Sequence, residues 1–183
     1  MSVKYPTGNK IYLRDLQVQD VGDRYYSWLS DPEINQYIET RFLLQSKDVI
    51  ADFVKSKQGS TNEILWAICE KENNRHIGNI KLGPINWYHR FADISLFIGE
   101  KDCWFKGYSS ESISLVVDFA FNTLNLHKVK AGAYSPNLGS IRSFEKNGFS
   151  QEGLLKNHFY SNGSYVDGVL LGLTREDYKL KRL

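Results

Sequence analysis

The sequence predicts an α/β fold, and three observations carry that reading. Short apolar runs of strand character alternate with longer segments whose apolar residues recur at helical spacing. The clearest helix, Ser110 to Leu124, sets Ile113, Val116, Val117, Ala120 and Phe121 at i, i+3, i+4, i+7 and i+8, one stripe along a cylinder. Near the end, Ser161-Asn162-Gly163-Ser164 is a hairpin turn joining two strands.

In chain order, Ile11 to Leu16 reads as a first strand. Asp20 to Leu29 reads as a helix with Val21, Tyr25, Trp28 and Leu29 on one face, stopped by Asp31-Pro32. Ser46 caps a second helix bearing Val49, Ile50, Phe53 and Val54. Three strands follow, Ile64 to Cys69, Arg75 to Leu82 and Phe91 to Ile98, with Glu72-Asn73-Asn74 turning between the first two. After the long helix come a strand, Val129 to Tyr134, and a short helix, Leu138 to Asn147, stopped by Gly148.

At 183 residues, with no repeat and no linker, residues 1–183 are expected to form one domain. The net charge of +2, from 23 basic and 21 acidic residues, points to neither nucleic acid nor a membrane surface. Met1-Ser2-Val3-Lys4-Tyr5 is followed by no apolar run, so no export signal and a cytoplasmic location are expected. Cys69 and Cys103 lie far apart and are expected as reduced thiols. His76 and His127 share no ligand spacing with the other histidines, so no metal site is expected.

The segment richest in chemistry runs from Phe97 to Glu111, where a strand ends, a loop turns and a helix begins. The first turn of a helix leaves backbone N–H groups unpaired, and with the dipole they form a site for an anion such as a pyrophosphate. Gly107 permits close approach, Ser109 and Ser110 keep it open, and Lys106 adds positive charge. An ordinary strand–loop–helix turn is the alternative, since the loop matches neither common phosphate-binding fingerprint.

Four motifs together decide between these. Trp104-Phe105-Lys106-Gly107-Tyr108-Ser109-Ser110-Glu111, then Leu124-Asn125-Leu126-His127-Lys128-Val129, then Asn137-Leu138-Gly139-Ser140, then Glu145-Lys146-Asn147-Gly148-Phe149, resemble the GNAT family of acetyltransferases. The resemblance runs from about Lys10 to Tyr178. It is nearest the branch of ribosomal-protein N-terminal, spermidine and amino-sugar acetyltransferases. It implies a mixed, mostly antiparallel sheet flanked by helices and splayed between its fourth and fifth strands, Phe91–Ile98 and Val129–Tyr134, and acetyl-coenzyme A as cosubstrate. The pantetheine arm is expected against Phe97 and Ile98, and the pyrophosphate on the amides of Phe105, Lys106, Gly107, Tyr108, Ser109 and Ser110. Asn137, Ser140 and Phe144 are expected to flank the arm. Trp104, Phe105 and Ser109 depart from the family's loop pattern, and Phe144 stands where many relatives carry a tyrosine that protonates the leaving thiolate.

Amine acetylation needs a neutral amine, a polarised carbonyl and a stabilised thiolate. The acid candidates are Ser140, with helix capping or a coenzyme contact as its other reading, and Tyr134, with edge packing. The base candidates are His89, Asp93 and His158. Asp93 is a carboxylate in an apolar strand, which is costly unless paired or functional; a salt bridge to Arg90 or an exposed strand face is its structural reading. Glu111 reads as a first-turn carboxylate favoured by the helix dipole. No nucleophile–base signature surrounds either cysteine, so direct attack in a ternary complex is expected.

The acceptor is expected between Trp28 to Ile34, Tyr37 to Arg41 and the tail hairpin, with Glu33, Glu39 and Arg41 among aromatic residues. The Trp28-to-Glu33 run and the stretch from Asn79 to Trp87 resemble relatives that act on surface-polysaccharide sugars, which favours a nucleotide-linked amino sugar. A peptide N-terminus and a polyamine are the alternatives; scattered acidic residues argue against the polyamine. A coenzyme-binding module without catalysis is the reading from a different class. The tail's edge strands suit pairing in a homodimer.

Overall fold

The computed structural model describes residues 5–180, so Met1 to Lys4, read above for an export signal, lie outside them. Strands β1 (Ile11–Asp15), β2 (Ile64–Glu70), β3 (His76–Asn86), β4 (Phe91–Ile98), β5 (Lys128–Tyr134), β6 (Ser150–Ser161) and β7 (Ser164–Thr174) form one sheet in the order β1-β2-β3-β4-β5-β7-β6. Every neighbouring pair is antiparallel except β4 and β5. Those two pair in parallel only over Phe91–Asp93 and Lys128–Lys130, and beyond that point they part. β5 continues along β7 to Tyr134. The expected splay is therefore present, and the rest of the fold is arranged around it.

Helices α1 (Asp23–Ser30), α2 (Pro32–Asn35) and α3 (Lys47–Lys57) precede β2, α4 (Tyr108–Asp118) and α5 (Leu138–Lys146) flank β5, and α6 (Arg175–Leu180) follows β7. Strand alternation supplies two cores. In β2, Trp66 and Ile68 face the cluster under α4, with Val116, Val117 and Phe121, while Ala67 and Cys69 face the cluster under α1 and α3, with Trp28, Ile50 and Val54. Burying a side chain such as Ile68 or Phe121 contributes about 1.5–3 kcal/mol. Both cysteines are buried free thiols.

Most elements fall where the pattern puts them, and the differences have local causes. The first helix starts at Asp23, after a 3-10 turn over Val18–Asp20. Asp20 forks onto Arg14 with two 2.7 Å hydrogen bonds and accepts from the Gln17 amide, which leaves Val21 outside the helix. Asp31 ends α1 and also caps α2 by accepting from the Glu33 amide. Ser46 caps α3 as expected, yet only Ile50 and Val54 are buried there; Val49 and Phe53 remain half exposed. β3 runs on past Leu82, with its register shifting around Pro84, the place a strand tolerates proline. The long helix begins two residues early, on Gly107 at φ +86°, and its last turn widens into a π-helix over Phe119–Thr123. The Asn162-Gly163 turn has both residues at positive φ, as a two-residue hairpin requires.

Candidate active site

Where β4 and β5 part, two cavities open and meet. The first, the loop cavity, has a volume of 540 Å³ and lies between the β4–α4 loop and α5. The second, the roof cavity, measures 620 Å³ and lies between the sheet and a roof made by α3 and the segment from Tyr37 to Gln45. Six residues line both: Tyr37, Ile38, Leu96, Phe97, Asn137 and Ser140.

The loop cavity is held by backbone and by a buried polar network. Gly107 takes the left-handed conformation that lets the chain turn into α4, and its carbonyl receives the Glu111 amide. Trp104 donates its indole N–H to the Ile98 carbonyl at 2.9 Å, closing the loop back on the strand. Glu70, 8% exposed, accepts from Tyr108 Oη at 2.7 Å and from Arg75 Nε at 2.9 Å, and Arg75 reaches on to Asp102 at 2.7 Å. Burial opposes the charge on Glu70, but donors from Tyr108, Arg75 and Asn73 outweigh it and hold its carboxyl below the usual range. The bond to Glu70, with burial second, pushes the Tyr108 phenol up to about 12. Burial, then the Glu70 charge, pushes the Cys103 thiol up to about 11, so it stays protonated and unreactive at neutral pH.

Two ties bind the surrounding elements to this loop. Asn147 donates to the carbonyl and hydroxyl of Ser110, at 2.9 and 3.1 Å, joining the end of α5 to the start of α4. Lys101 pairs with Asp31 at 2.8 Å and Glu33 at 2.6 Å, joining the loop to α2 and so to the roof. Asn137 caps α5 through the Ser140 amide at 3.2 Å, which sets Ser140 at the junction. Arg142 and Lys146, one turn apart on α5, bring positive charge to the loop cavity.

The roof cavity is walled by side chains, many of them aromatic. Tyr134 stacks on Phe159 with ring centres 4.1 Å apart, and Tyr37 leans on Tyr134 at 5.7 Å. The Arg41 guanidinium lies 5.1 Å from the Tyr134 ring and donates from Nη2 to the Tyr160 carbonyl at 2.7 Å; its Nη1 is buried without a hydrogen-bond partner. Among the lining residues the charges are one carboxylate, Glu39, and one ammonium, Lys81, which Glu63 holds at 3.1 Å. At the floor, His76 Nε2 meets Asn79 Oδ1 at 2.7 Å, and burial lowers the imidazole's pKa, keeping it neutral.

The family model described as an acetyltransferase (GNAT) domain matches residues 10–150. The chain belongs to the GNAT acetyltransferase family. It is an acyltransferase that uses acetyl-coenzyme A as cosubstrate. It is 32% identical to the SPbeta prophage-derived uncharacterized N-acetyltransferase YokL of Bacillus subtilis (strain 168), over 98% of each chain. It is 32% identical to a spermidine N(1)-acetyltransferase of Vibrio cholerae, over 61% of this chain and 64% of that one. In fold it is similar to the crystal structure of spermidine N-acetyltransferase from Vibrio cholerae in complex with CoA and spermine. That match has a TM-score of 0.83 at 24% identity and covers 94% of this chain and 99% of that one.

Of the residues expected at the coenzyme, the acetyltransferase lines its loop cavity with Phe97, Ile98, Phe105, Gly107, Tyr108, Ser109, Ser110, Asn137 and Ser140. Lys106 stays in the loop, where its carbonyl accepts from Lys10 Nζ at 3.0 Å, and does not line the cavity. Phe144 faces the roof cavity instead, with its ring edge-on to Phe149 at 5.0 Å. Of the catalytic candidates, Ser140 lines both cavities and Tyr134 lines the roof cavity.

The structure does not bring His89, Asp93 or His158 into the lining of either cavity. His89 sits in the β3–β4 turn, parallel to the Phe91 ring at 6.4 Å. Asp93 lies at the closed end of the splay and pairs at 3.4 Å with Lys130, its register partner, rather than with Arg90. His158 packs edge-on to Phe159 at 4.7 Å, where an irregularity in β6 puts Phe159 in the cavity wall. Glu111 accepts from the Lys10 and Ile11 amides and ties β1 to α4. Sequence reasoning missed Arg142 and Lys146, although their i, i+4 spacing on a helix puts them on one face.

Among the described residues no group of three or more His, Cys, Asp or Glu side chains is placed to hold a metal ion, and no helix is long and apolar enough to cross a membrane.

Proposed function

We propose that the acetyltransferase transfers acetyl from acetyl-coenzyme A to a primary amine by direct attack, with both substrates bound at once. The coenzyme occupies the loop cavity and the amine enters from the roof cavity. The observation that carries this reading is the meeting of the two cavities at the splay, which lets amine and thioester touch without an enzyme-bound intermediate. The loop supplies the first amides of α4 for the pyrophosphate, and Arg142 and Lys146 supply charge.

The acceptor is a ring-bearing amine, with a nucleotide-linked amino sugar as the leading class. Tyr37, Tyr134 and Phe159 line the roof cavity and offer faces for a ring. A polyamine is the second reading, favoured by the names of several relatives. The charge balance of the roof cavity opposes it, because Glu39 is the single carboxylate in its lining.

The test is acetyl-coenzyme A-dependent thiol release with free and nucleotide-linked amino sugars, spermidine and short peptides with free N-termini. Fastest release with the nucleotide-linked amino sugars is expected. Fastest release with spermidine would overturn the acceptor assignment. Coenzyme binding without release for any amine would favour a non-catalytic module.

A further inference from the structure

Six residues line both cavities, and of these Tyr37 and Ser140 alone carry a hydroxyl. If the coenzyme and the amine bind as proposed above, on which this inference rests, the thioester carbon sits among those six. The amine lone pair bonds to that carbon, the C–S bond breaks, and sulfur departs with the electron pair. A proton must reach it. An effective acid has a strength close to that of the group it protonates. Phenols ionise at about 10 and thiols at about 8.5, whereas an alkyl alcohol is a far weaker acid.

Of the residues of α5, Ser140 alone lines both cavities, and Phe144, which has no hydroxyl, lines only the roof cavity. The phenol arrives from the other side. Tyr37 follows α2, whose cap Asp31 and first-turn Glu33 are fastened to the loop by Lys101. Its ring is steadied by Tyr134 at 5.7 Å. Tyr134 is itself a phenol, but it lines the roof cavity and not the loop cavity.

We propose that Tyr37 is the general acid of the reaction. Its O–H proton passes to the coenzyme sulfur as the C–S bond breaks. The phenolate left behind recovers a proton from the one the nitrogen sheds on becoming an amide, by way of solvent. The products are the acetylated amine and free coenzyme A, and no further reactant is needed.

The test compares wild type, Tyr37→Phe and Ser140→Ala as full chains, with the best acceptor and two donors: acetyl-coenzyme A and its selenoester analogue. A selenol is a much stronger acid than a thiol and leaves without a proton. With acetyl-coenzyme A, Y37F is expected to lose about 100-fold in kcat. Its KM for the donor and its affinity for coenzyme A stay near wild type, the latter also reporting an intact fold. With the selenoester the deficit should shrink at least tenfold, and S140A should lose less than Y37F with the thioester.

An unchanged kcat in Y37F would overturn the assignment, as would a larger loss in S140A. An equal Y37F deficit with both donors would also overturn it, leaving Tyr37 a merely structural part of the wall. Absence of thiol release by wild type with every acceptor would instead overturn the transferase reading, and this assignment with it.

Discussion

The two cavities that meet at the splay are built by different means. The loop cavity is bounded by a turn in a fixed conformation and locked by Glu70, Arg75, Tyr108 and Asn147. The roof cavity is bounded by side chains such as Val49, Phe53, Tyr134 and Phe159, projecting from elements anchored elsewhere. A ligand read by main-chain amides and a helix terminus tolerates few changes in backbone and many in side chain. A ligand read by side chains has the opposite sensitivity. The first design suits a cosubstrate common to a family, the second an acceptor that differs between members.

If that contrast holds, the largest effects lie in the loop's network. Glu70→Gln removes the charge from a mostly buried acceptor, although Arg75 keeps Asp102 at 2.7 Å. It should destabilise the fold by about 2 kcal/mol in urea unfolding and weaken coenzyme binding. The sign of the pH dependence follows from the depressed carboxyl. Glu70's contribution is fully present above its unfolded value of about 4.3 and is lost as pH falls through the lower folded value, so the wild type's advantage over E70Q shrinks in acid.

Gly107→Ala comes next. A Cβ there meets no atom within 4 Å, so the cost is the φ of +86°, about 1–2 kcal/mol, together with a methyl at the phosphate approach. Coenzyme affinity measured by calorimetry should fall about tenfold, with the acceptor KM unchanged.

The roof should answer in the reverse way. Phe53 is 44% exposed on a helix held by Ile50 and Val54, so Phe53→Ala should change stability by less than about 0.5 kcal/mol while raising the acceptor KM severalfold. Val54→Ala, on the buried face of the same helix, should cost stability and leave that KM alone. The smallest effect is expected at Phe105, whose ring is 99% exposed and whose φ is +60°. Relief of the left-handed strain, about 1–2 kcal/mol, outweighs the added chain entropy of glycine, about 0.5–1 kcal/mol. Phe105→Gly should therefore raise the thermal midpoint slightly.

The same contrast explains what was legible in the residues alone. The sheet, the Ser46 cap, the Asn162-Gly163 hairpin and the loop before α4 rest on local patterns, and each lies within a few residues of its expected place. The wall residues of the roof do not. Val49 and Phe53 fit a helical stripe, but a stripe cannot say that part of it faces a cavity rather than a core. His89, Asp93 and His158 are base candidates by side-chain chemistry alone, and only three-dimensional register decides whether such groups face a cavity. Strand pairing sets Asp93 beside Lys130, and Phe159 takes the wall position next to His158. Tyr37 is legible only as part of the acceptor region; that it borders the loop cavity as well rests on the fold, in which Lys101 fastens α2 to a loop about seventy residues downstream.

The claim that both substrates meet in one complex is tested most directly by initial-rate kinetics, with acetyl-coenzyme A and the amine varied together and thiol release followed. The account predicts intersecting double-reciprocal lines and no acetyl group retained on the protein when the amine is left out. Parallel lines, with acetyl-enzyme seen in the mass spectrum, would contradict it.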